Sequence, residues 1–485
     1  MNRSTPQHVP FLFSLSLLAF LVGSVDAAPA PTPKNEAASQ PKPTAKPTAS
    51  QPTLYNLPRL IKRAARLYPG LTAARAAVQE MRANVSRAKW GWIPQARIKG
   101  LVAPSPNITC YDATGAPSSE RCITTTNPNA SWFDIGGIFG RLQVDLVMPI
   151  YTFDKLGSAR RAAEAGVKAR QAQLRAAKAA LAYNITRAYW GLKLARESLY
   201  VVRNGRKHLV KERARVEKQL DDEEGEVTVT DLLRLKTFTA VVDTRVLEGV
   251  KLERVTKTIL ATLIRLDSFK LEPSIIAPVS GKILPLSRYL ALARQHRPEV
   301  RLLDAALGAQ RAAQSLEKSR FYPDFLIVAT ARLAGAQGAD DPKNAFYNDP
   351  FNVFTGGFGL ALNWTLDPVQ QYHKYQAAKA KSAYVAAKRD EALIGIEIDI
   401  KRAYEDLRNA LARMGAARKG QKSARSWLTA TVQSLSAGLG KPKDLTDVLP
   451  TYFELKLKYL QAIYDVNIGW AKLAHAIGLA KAERS

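Results

Sequence analysis

Residues suited to metal binding or redox chemistry are scarce in this chain. Its 485 residues include two cysteines, five histidines and four methionines. The histidines are scattered, and none forms a ligand-spaced cluster with the thiols. Carboxylates are plentiful, but none lies at a recognisable catalytic spacing from a histidine, cysteine or serine. We therefore expect no metal, no cofactor and no enzymatic activity.

Two longer patterns are also missing. The chain has no phosphate-binding loop, in which two glycines with four residues between them precede Lys and then Ser or Thr. Energy for any transport process must therefore come from a partner. After residue 27, no segment approaches 18 uninterrupted apolar residues, so no transmembrane helix is predicted.

The first 27 residues are typical of a secretory signal. Arg3 supplies the positive charge, residues 11–23 form the apolar core, and residues 25–27 resemble a cleavage site. No cysteine follows that site, so an amino-terminal lipid anchor is not indicated. Residues 28–53 are rich in Ala, Pro, Thr and Lys, and this composition predicts a flexible arm.

The net charge of +29 invites a nucleic-acid interpretation. Export argues against that interpretation. So does the distribution of charge, because Lys and Arg are mixed with Asp and Glu along every predicted helix. We therefore expect no nucleic-acid partner. A solvated helical surface explains most of the charge, and a sharper hypothesis is that part of it lines a channel and favours anions.

Four segments are predicted to be strands, near residues 93–103, 139–152, 322–334 and 356–367. Within the second, apolar and polar side chains alternate, which describes a strand with one apolar and one polar face. Such strands form the walls of membrane barrels. The alternating residues are Arg141, Leu142, Gln143, Val144, Asp145, Leu146 and Met148.

The remaining predicted elements are helices. Residues 57–90 form a helix that Pro69 divides in two. Residues from about 156 to 222 contain no proline and carry apolar residues at helical spacing. At 1.5 Å per residue, that helix would be roughly 100 Å long.

The chain contains an internal duplication. The pairs Leu57 and Leu286, Pro69 and Pro298, and Pro94 and Pro323 are each 229 residues apart. Further along, matching positions such as Asp231 and Asp447 are 216 residues apart. We therefore predict a first repeat over residues 54–267, a linker over 268–285, a second repeat over 286–479 and a short tail over 480–485.

Four strands cannot close a barrel, and an open sheet edge is not tolerated in lipid. We therefore expect several chains to share one barrel. Two apolar stripes with coiled-coil spacing also predict partner helices, although packing within one chain is the alternative for either stripe alone. The first stripe comprises Leu252, Val255, Ile259, Leu263 and Leu266, and the second comprises Tyr452, Leu455, Tyr459, Ile463, Val466, Trp470, Leu473 and Ile477.

Each pair of long helices is joined by a turn, predicted at residues 223–233 and 437–449. Glycine permits the reversal, Thr or Asp caps the following helix, and acidic groups suit its amino-terminal dipole. These structural roles alone can account for the residue types found in both turns. The residues singled out in the first turn are Gly225, Asp231 and Leu232, and those in the second are Gly438, Gly440, Lys443, Asp444 and Asp447.

The duplicated halves, the strand-to-helix junctions and the turns with Asp-Leu-Leu or Asp-Val-Leu resemble the TolC-type outer membrane factor family, also called outer membrane efflux proteins. The resemblance covers residues 54–479. It implies a mainly α-helical homotrimer in which each chain contributes four strands to a twelve-stranded membrane β-barrel. A long periplasmic α-helical barrel continues that β-barrel. Its implied partners are a periplasmic adaptor protein, an inner-membrane pump of RND or ABC type, and outer membrane lipid.

The resemblance also assigns roles to the two turns, which form the periplasmic entrance, its gate and the adaptor contact in this family. Asp231 matches an aspartate that helps to hold the closed state, and Asp447 matches one that can constrict the pore. Lys443 falls where a basic latch partner can lie. The sequence departs from the family at Pro450, where a second constricting aspartate can occur.

Cys110 and Cys122 lie in a polar loop rich in Pro, Gly and Ser, and in an exported chain they are expected to form a disulfide. The predicted function is an outer membrane channel of a tripartite efflux or type I secretion system. It would passively conduct small molecules or proteins from periplasm to exterior. The alternative is a structural coiled-coil envelope protein without a pore.

Overall fold

The computed structural model describes residues 54–120, 122–123, 135–222, 227–272, 275–342, 349–437, 439 and 442–479. The predicted signal (1–27), arm (28–53) and tail (480–485) lie outside these residues. The chain divides into two units after Gln51, and the described residues belong to the second.

The described residues form two series in which the helices and long strands follow the same order, and the first series also contains two strands of two residues each. The first series is β1 (Leu54–Tyr55), α1 (Leu57–Leu67), α2 (Pro69–Lys89), β2 (Gln95–Pro106), β3 (Ile135–Tyr151), α3 (Lys155–Asp221), α4 (Val229–Ile264) and β4 (Lys270–Leu271). The second is α5 (Leu286–His296), α6 (Pro298–Ser319), β5 (Asp324–Ala336), β6 (Val353–Asn363), α7 (Pro368–Ser436) and α8 (Pro442–Ile477).

Proline marks equivalent helix starts in the two series. Pro69 begins α2 and Pro298 begins α6, each after a residue in extended conformation. Proline suits the first helical position because its missing N–H would have no intrahelical acceptor there. The predicted division of the first helix at Pro69 agrees with these bounds.

The junctions between strand and long helix are short but differ between the series. In the first, Phe153 and Asp154 both have positive φ, and the Asp154 carboxylate pairs with Arg161. In the second, the Asp367 side chain accepts a hydrogen bond of 3.2 Å from the Gln370 N–H and caps α7. The predicted strand near 356–367 therefore ends earlier, at Asn363.

The four long strands form one antiparallel sheet in the order β2-β3-β5-β6. Within the chain, β2 and β6 are its edges. A second, two-stranded sheet pairs β1 with β4 in parallel. Sequence reasoning missed this small sheet, because strands of two residues carry no periodicity.

The long helices pack side by side, α4 against α3, α3 against α8, and α8 against α7, while α2 and α6 both pack on α3. Corresponding clusters of apolar side chains fill the two series. Leu192 and Ile264 are buried in the first cluster, and Leu407 and Trp470 in the second. None of the described helices is both long enough and apolar enough to cross a membrane.

The two apolar stripes have different outcomes. On α8, Val466, Trp470 and Leu473 are buried against α5 and α7, so the expectation that this stripe needs partner chains is wrong. Its partners lie within the chain. On α4, by contrast, Leu252 and Ile259 are each 48% exposed and remain available to another helix.

Candidate channel wall and helix tips

The antiparallel sheet has one face that suits lipid. Cross-strand partners place apolar side chains from all four strands on the same side. Phe358 and Leu360 on the edge strand β6 are 89% and 84% exposed. In water such a face would be a large unfavourable apolar patch, whereas in a bilayer it meets hydrocarbon. The face comprises Ile98, Val102, Leu142, Val144, Leu146, Phe325, Ile327, Leu333, Phe354, Phe358, Leu360 and Leu362.

The opposite face of the sheet carries the charged side chains of the strands. Lys99 Nζ lies 3.1 Å from the Asp145 carboxylate, which also accepts hydrogen bonds from Gln143 at 2.7 Å and from Thr330 at 3.1 Å. A surface hollow over this face is lined by residues of all four strands, including Arg97, Asp145 and Thr330. The two faces therefore have opposite character, as the wall of a water-filled barrel requires.

The helices at the two sides of the chain expose apolar side chains. They lie on α4 and α7, which flank the inner helices α3 and α8. These side chains and the open edges of β2 and β6 are features that a neighbouring chain could cover. The exposed apolar residues are Val229, Leu233, Val241, Leu247, Leu252, Val255 and Ile259 on α4, and Val369, Tyr372, Tyr384, Ile394, Ile398, Trp427 and Val432 on α7.

The first helix tip is the region where α3 is followed by α4. A capping box stabilises the start of α4. The Thr228 hydroxyl accepts from the Asp231 N–H at 3.3 Å, and the Asp231 carboxylate accepts from the Thr228 N–H at 3.2 Å. This arrangement satisfies two backbone donors that the helix start would otherwise leave without partners. Asp231 therefore has a local structural role in addition to the predicted role in a gate.

A small apolar cluster ties the two tips together. Leu232 is only 9% exposed and packs with Leu209 and Val216 of α3 and with Leu449 of α8. Leu445 packs against the same cluster from the second tip. The structure thus brings together the two turns that the sequence places more than 200 residues apart, and it gives Leu232 a packing role.

The second helix tip lies at the start of α8. Several residues predicted to form the loop before this helix belong instead to its first helical turns. Lys443, Asp444 and Asp447 all fall within the helix, which starts at Pro442. Asp444 and Asp447 are exposed and line a shallow hollow with Trp427 and Thr431 of α7. Carboxylates in the first turns suit the positive end of the helix dipole.

Three of the predicted tip residues, Gly225, Gly438 and Gly440, lie outside the described residues. The pairing of Lys443 with Asp231, and the roles assigned to the tips as a gate and an adaptor contact, stay predictions.

At the end of the sheet away from the long helices, Cys110 and Cys122 are joined by a disulfide, with their Cα atoms 5.3 Å apart. The Cys110 N–H donates a hydrogen bond of 2.9 Å to the carboxylate of Asp340, which lies in the loop after β5. Ile108 N–H donates to the Gly338 carbonyl at 2.8 Å. The two loops that follow β2 and β5 are therefore held to each other.

Sequence reasoning missed a buried cation on α3. Lys193 is 1% exposed, and its ammonium lies 4.6 Å and 5.0 Å from the ring centres of Tyr189 and Trp190. It also donates a hydrogen bond of 3.4 Å to the Ile275 carbonyl of the inter-repeat linker. Burial lowers the pKa of Lys193 from 10.5 to about 8. A Tyr and a Trp, four and three residues before a lysine, are the sequence signal that could have found this contact.

Among the described residues, no group of three or more His, Cys, Asp and Glu side chains could hold a metal ion.

Residues 289–479 match the family described as outer membrane efflux protein. No curated protein sequence matches the chain. Solved structures give broader coverage. The CmeC outer membrane channel of Campylobacter jejuni is 13% identical and superposes with a TM-score of 0.71, covering 94% of this chain and 95% of CmeC.

Two further outer membrane proteins resemble the chain to a similar degree. VceC, an outer membrane protein of Vibrio cholerae, is 19% identical with a TM-score of 0.67, over 87% of this chain and 96% of VceC. The open state of the MtrE outer membrane channel of Neisseria gonorrhoeae is 16% identical with a TM-score of 0.66, over 87% of this chain and 89% of MtrE. At these identities the likeness shows a shared fold.

Proposed function

We propose that this chain is an outer membrane channel, because its residues 289–479 match the outer membrane efflux protein family and its fold is that of solved outer membrane channels. It serves as the exit duct of a tripartite export system. Solutes or proteins pass through it from the periplasm to the exterior without chemical change.

The observation that carries this proposal is the four-stranded sheet, which has an apolar face, a charged face and two open edges. Open edges expose unpaired N–H and C=O groups, which are too costly to leave in hydrocarbon. Pairing β6 of one chain with β2 of the next removes both edges. The family resemblance implies three chains, which supply twelve strands.

The long helices extend this conduit away from the membrane. At 1.5 Å per residue, the 67 residues of α3 span roughly 100 Å. The apolar side chains exposed on α4 and α7 are covered when neighbouring chains close a helical barrel. The disulfide-linked loops lie at the outer end of the sheet, and the helix tips lie at the periplasmic end.

Partners are needed because the chain has no nucleotide-binding loop. We propose that the tips contact a periplasmic adaptor, which connects the duct to an inner-membrane pump of RND or ABC type. Drug efflux and type I secretion both use this arrangement. The proposal does not extend to a nucleic-acid partner, a cofactor or an enzymatic activity.

Two measurements on one preparation test the proposal. Protein extracted from outer membranes should migrate as a heat-resistant oligomer and should produce discrete conductance steps in a planar lipid bilayer. A structural envelope protein without a pore could give the oligomer but no conductance. Accumulation of a fluorescent efflux dye in a deletion strain tests the same distinction in cells, and unchanged accumulation together with absent conductance would contradict the channel.

A further inference from the structure

The charged face of the sheet carries four cations and two carboxylates. Residues that are Cα partners across the four strands form rows. One row on this face contains Arg97, Asp145, Thr330 and Gly357. The next row contains Lys99, Gln143, Arg332 and Thr355, and the third contains Leu101, Arg141, Ala334 and Val353. Three successive rows therefore hold four cations and one carboxylate.

The single carboxylate in these rows does not balance the cations. Asp145 is engaged by Lys99, Gln143 and Thr330, as described above. The other carboxylate on this face, Asp324, lies three rows away at the helix end and pairs with Lys155 at 2.8 Å. Four cations against one carboxylate leave a net charge of +3 in the three rows of each chain.

This arrangement opposes the stability of the sheet. Arg141 is a diagonal neighbour of both Lys99 and Arg332, at the distance of about 7–8 Å typical of such pairs. Like charges directly opposite each other are destabilising, and long side chains at diagonal positions come within reach of the same repulsion. A polar barrel lining needs only neutral side chains such as Gln143 and Thr330, so the polar character of this face does not by itself account for the cations. Lys99 pairs with Asp145, and Arg332 donates a hydrogen bond of 3.4 Å to the Pro350 carbonyl, but neither contact requires four cations in three rows.

The edge strand β6 leaves space beside these side chains for a solute. On the charged face, β6 presents Thr355 together with Gly357 and Gly359, whose missing Cβ atoms would meet no neighbour within 4 Å. The rows are about 7 Å apart, since two residues of a strand separate them. The four cations therefore form a belt that extends about 14 Å along the strands.

We infer that Arg97, Lys99, Arg141 and Arg332 form a cationic belt in the lumen of the β-barrel that selects anions and binds anionic solutes. The inference rests on the proposed channel, in which three chains bring the belt to a net charge of +9. A water-filled passage walled by low-dielectric material concentrates the field of fixed charges. Inorganic anions and small carboxylates or phosphates are the solutes that such a field would enrich.

Ion selectivity in a planar bilayer tests the belt separately from the existence of the channel. The reversal potential of the wild-type channel under a KCl gradient should give a chloride-to-potassium permeability ratio above about 3. The variant with R97Q, K99Q, R141Q and R332Q should lower that ratio by at least about threefold. The charge-conserving variant with R97K, R141K and R332K is the matched control and should keep the wild-type ratio.

Two additional measurements keep the test decisive if the fourfold variant fails to assemble. R141Q alone should lower the permeability ratio partway, because it removes one charge of the four. Inorganic pyrophosphate in both chambers should reduce the wild-type current more than an equal ionic strength of KCl does, by occupying the belt.

The outcomes separate the two proposals. A wild-type channel that conducts but prefers cations, or whose selectivity is the same in the glutamine variants, would overturn the belt and leave the channel intact. Absence of any wild-type conductance would overturn the channel and the belt together.

Discussion

The tip residue Asp231 lends itself to a test that separates a gate from a helix cap. In the described structure its carboxylate accepts from the backbone N–H and the hydroxyl of Thr228, which closes the start of α4. The predicted gate uses the same carboxylate as the partner of Lys443. Asp231→Asn removes the charge but keeps an acceptor for Thr228, whereas Thr228→Ala removes the capping hydroxyl and keeps the charge.

The two substitutions should differ in their effect on the closed state. An exposed ion pair contributes up to about 1 kcal/mol. Three equivalent pairs would therefore contribute up to about 3 kcal/mol, which corresponds to a change of about 150-fold in the ratio of closed to open channels. Loss of the cap costs about 0.5–2 kcal/mol of helix stability and acts on the first turn of α4.

Single-channel recording of both variants gives the comparison. Asp231→Asn should raise the open probability or conductance, and Thr228→Ala should leave both near wild type. Adding Lys443→Ala to Asp231→Asn should give no further increase, because the pair is already broken. Equal increases in open probability in Asp231→Asn and Thr228→Ala would show that fraying of the tip controls opening, and not the Asp231–Lys443 latch. Unchanged open probability and conductance in Asp231→Asn would also refute the latch.

Three further predictions concern the wall, the buried cation and the helix seam. Leu360→Lys places a charge on the lipid face at a cost of about 2–4 kcal/mol and should reduce the heat-resistant oligomer recovered from outer membranes, whereas Ala361→Lys on the opposite face should leave it near wild type. The pKa of Lys193 is lowered to about 8 in the folded chain, so resistance to denaturant should rise between pH 8 and pH 10 as the buried amine loses its proton. Lys193→Met should abolish that rise, and a pH profile identical to wild type would contradict the assignment. Gly205→Ala should destabilise the seam between α3 and α8 by about 1–3 kcal/mol, because the added methyl overlaps the Phe453 ring, and Phe453→Leu should restore part of the loss in thermal unfolding.

Much of the fold was predictable because its elements are long and periodic. The alternation over residues 141–148 predicted the two faces of β3. It could not predict the strand order β2-β3-β5-β6, because pairing β3 with β5 joins residues far apart in the chain. The cationic belt depends on that register and was therefore visible only as part of a general positive charge.

The two apolar stripes show where periodicity stops being informative. Each predicts a helix with one apolar face, and both helices are present. The pattern does not say whether the covering partner lies in the same chain. The stripe on α8 is buried by α5 and α7. On α4, the part of the stripe from Leu252 to Ile259 stays exposed.

Local chemistry predicted the first tip better than the second. The sequence from Thr228 to Asp231 contains a good capping residue three positions before a carboxylate, and the structure forms the corresponding capping box. At the second tip, Pro442 begins α8 before Asp444 and Asp447, so residues assigned to a turn are helical. Proline at the first position of a helix is the signal that sequence reasoning gave too little weight.

The central claim is that one chain supplies only part of a conduit, which three chains complete. Native mass spectrometry of the complex extracted from outer membranes in mild detergent tests it most directly, because the mass gives the number of chains without reference to function. We expect a single dominant species with three times the mass of the mature chain. A dominant monomer would contradict it.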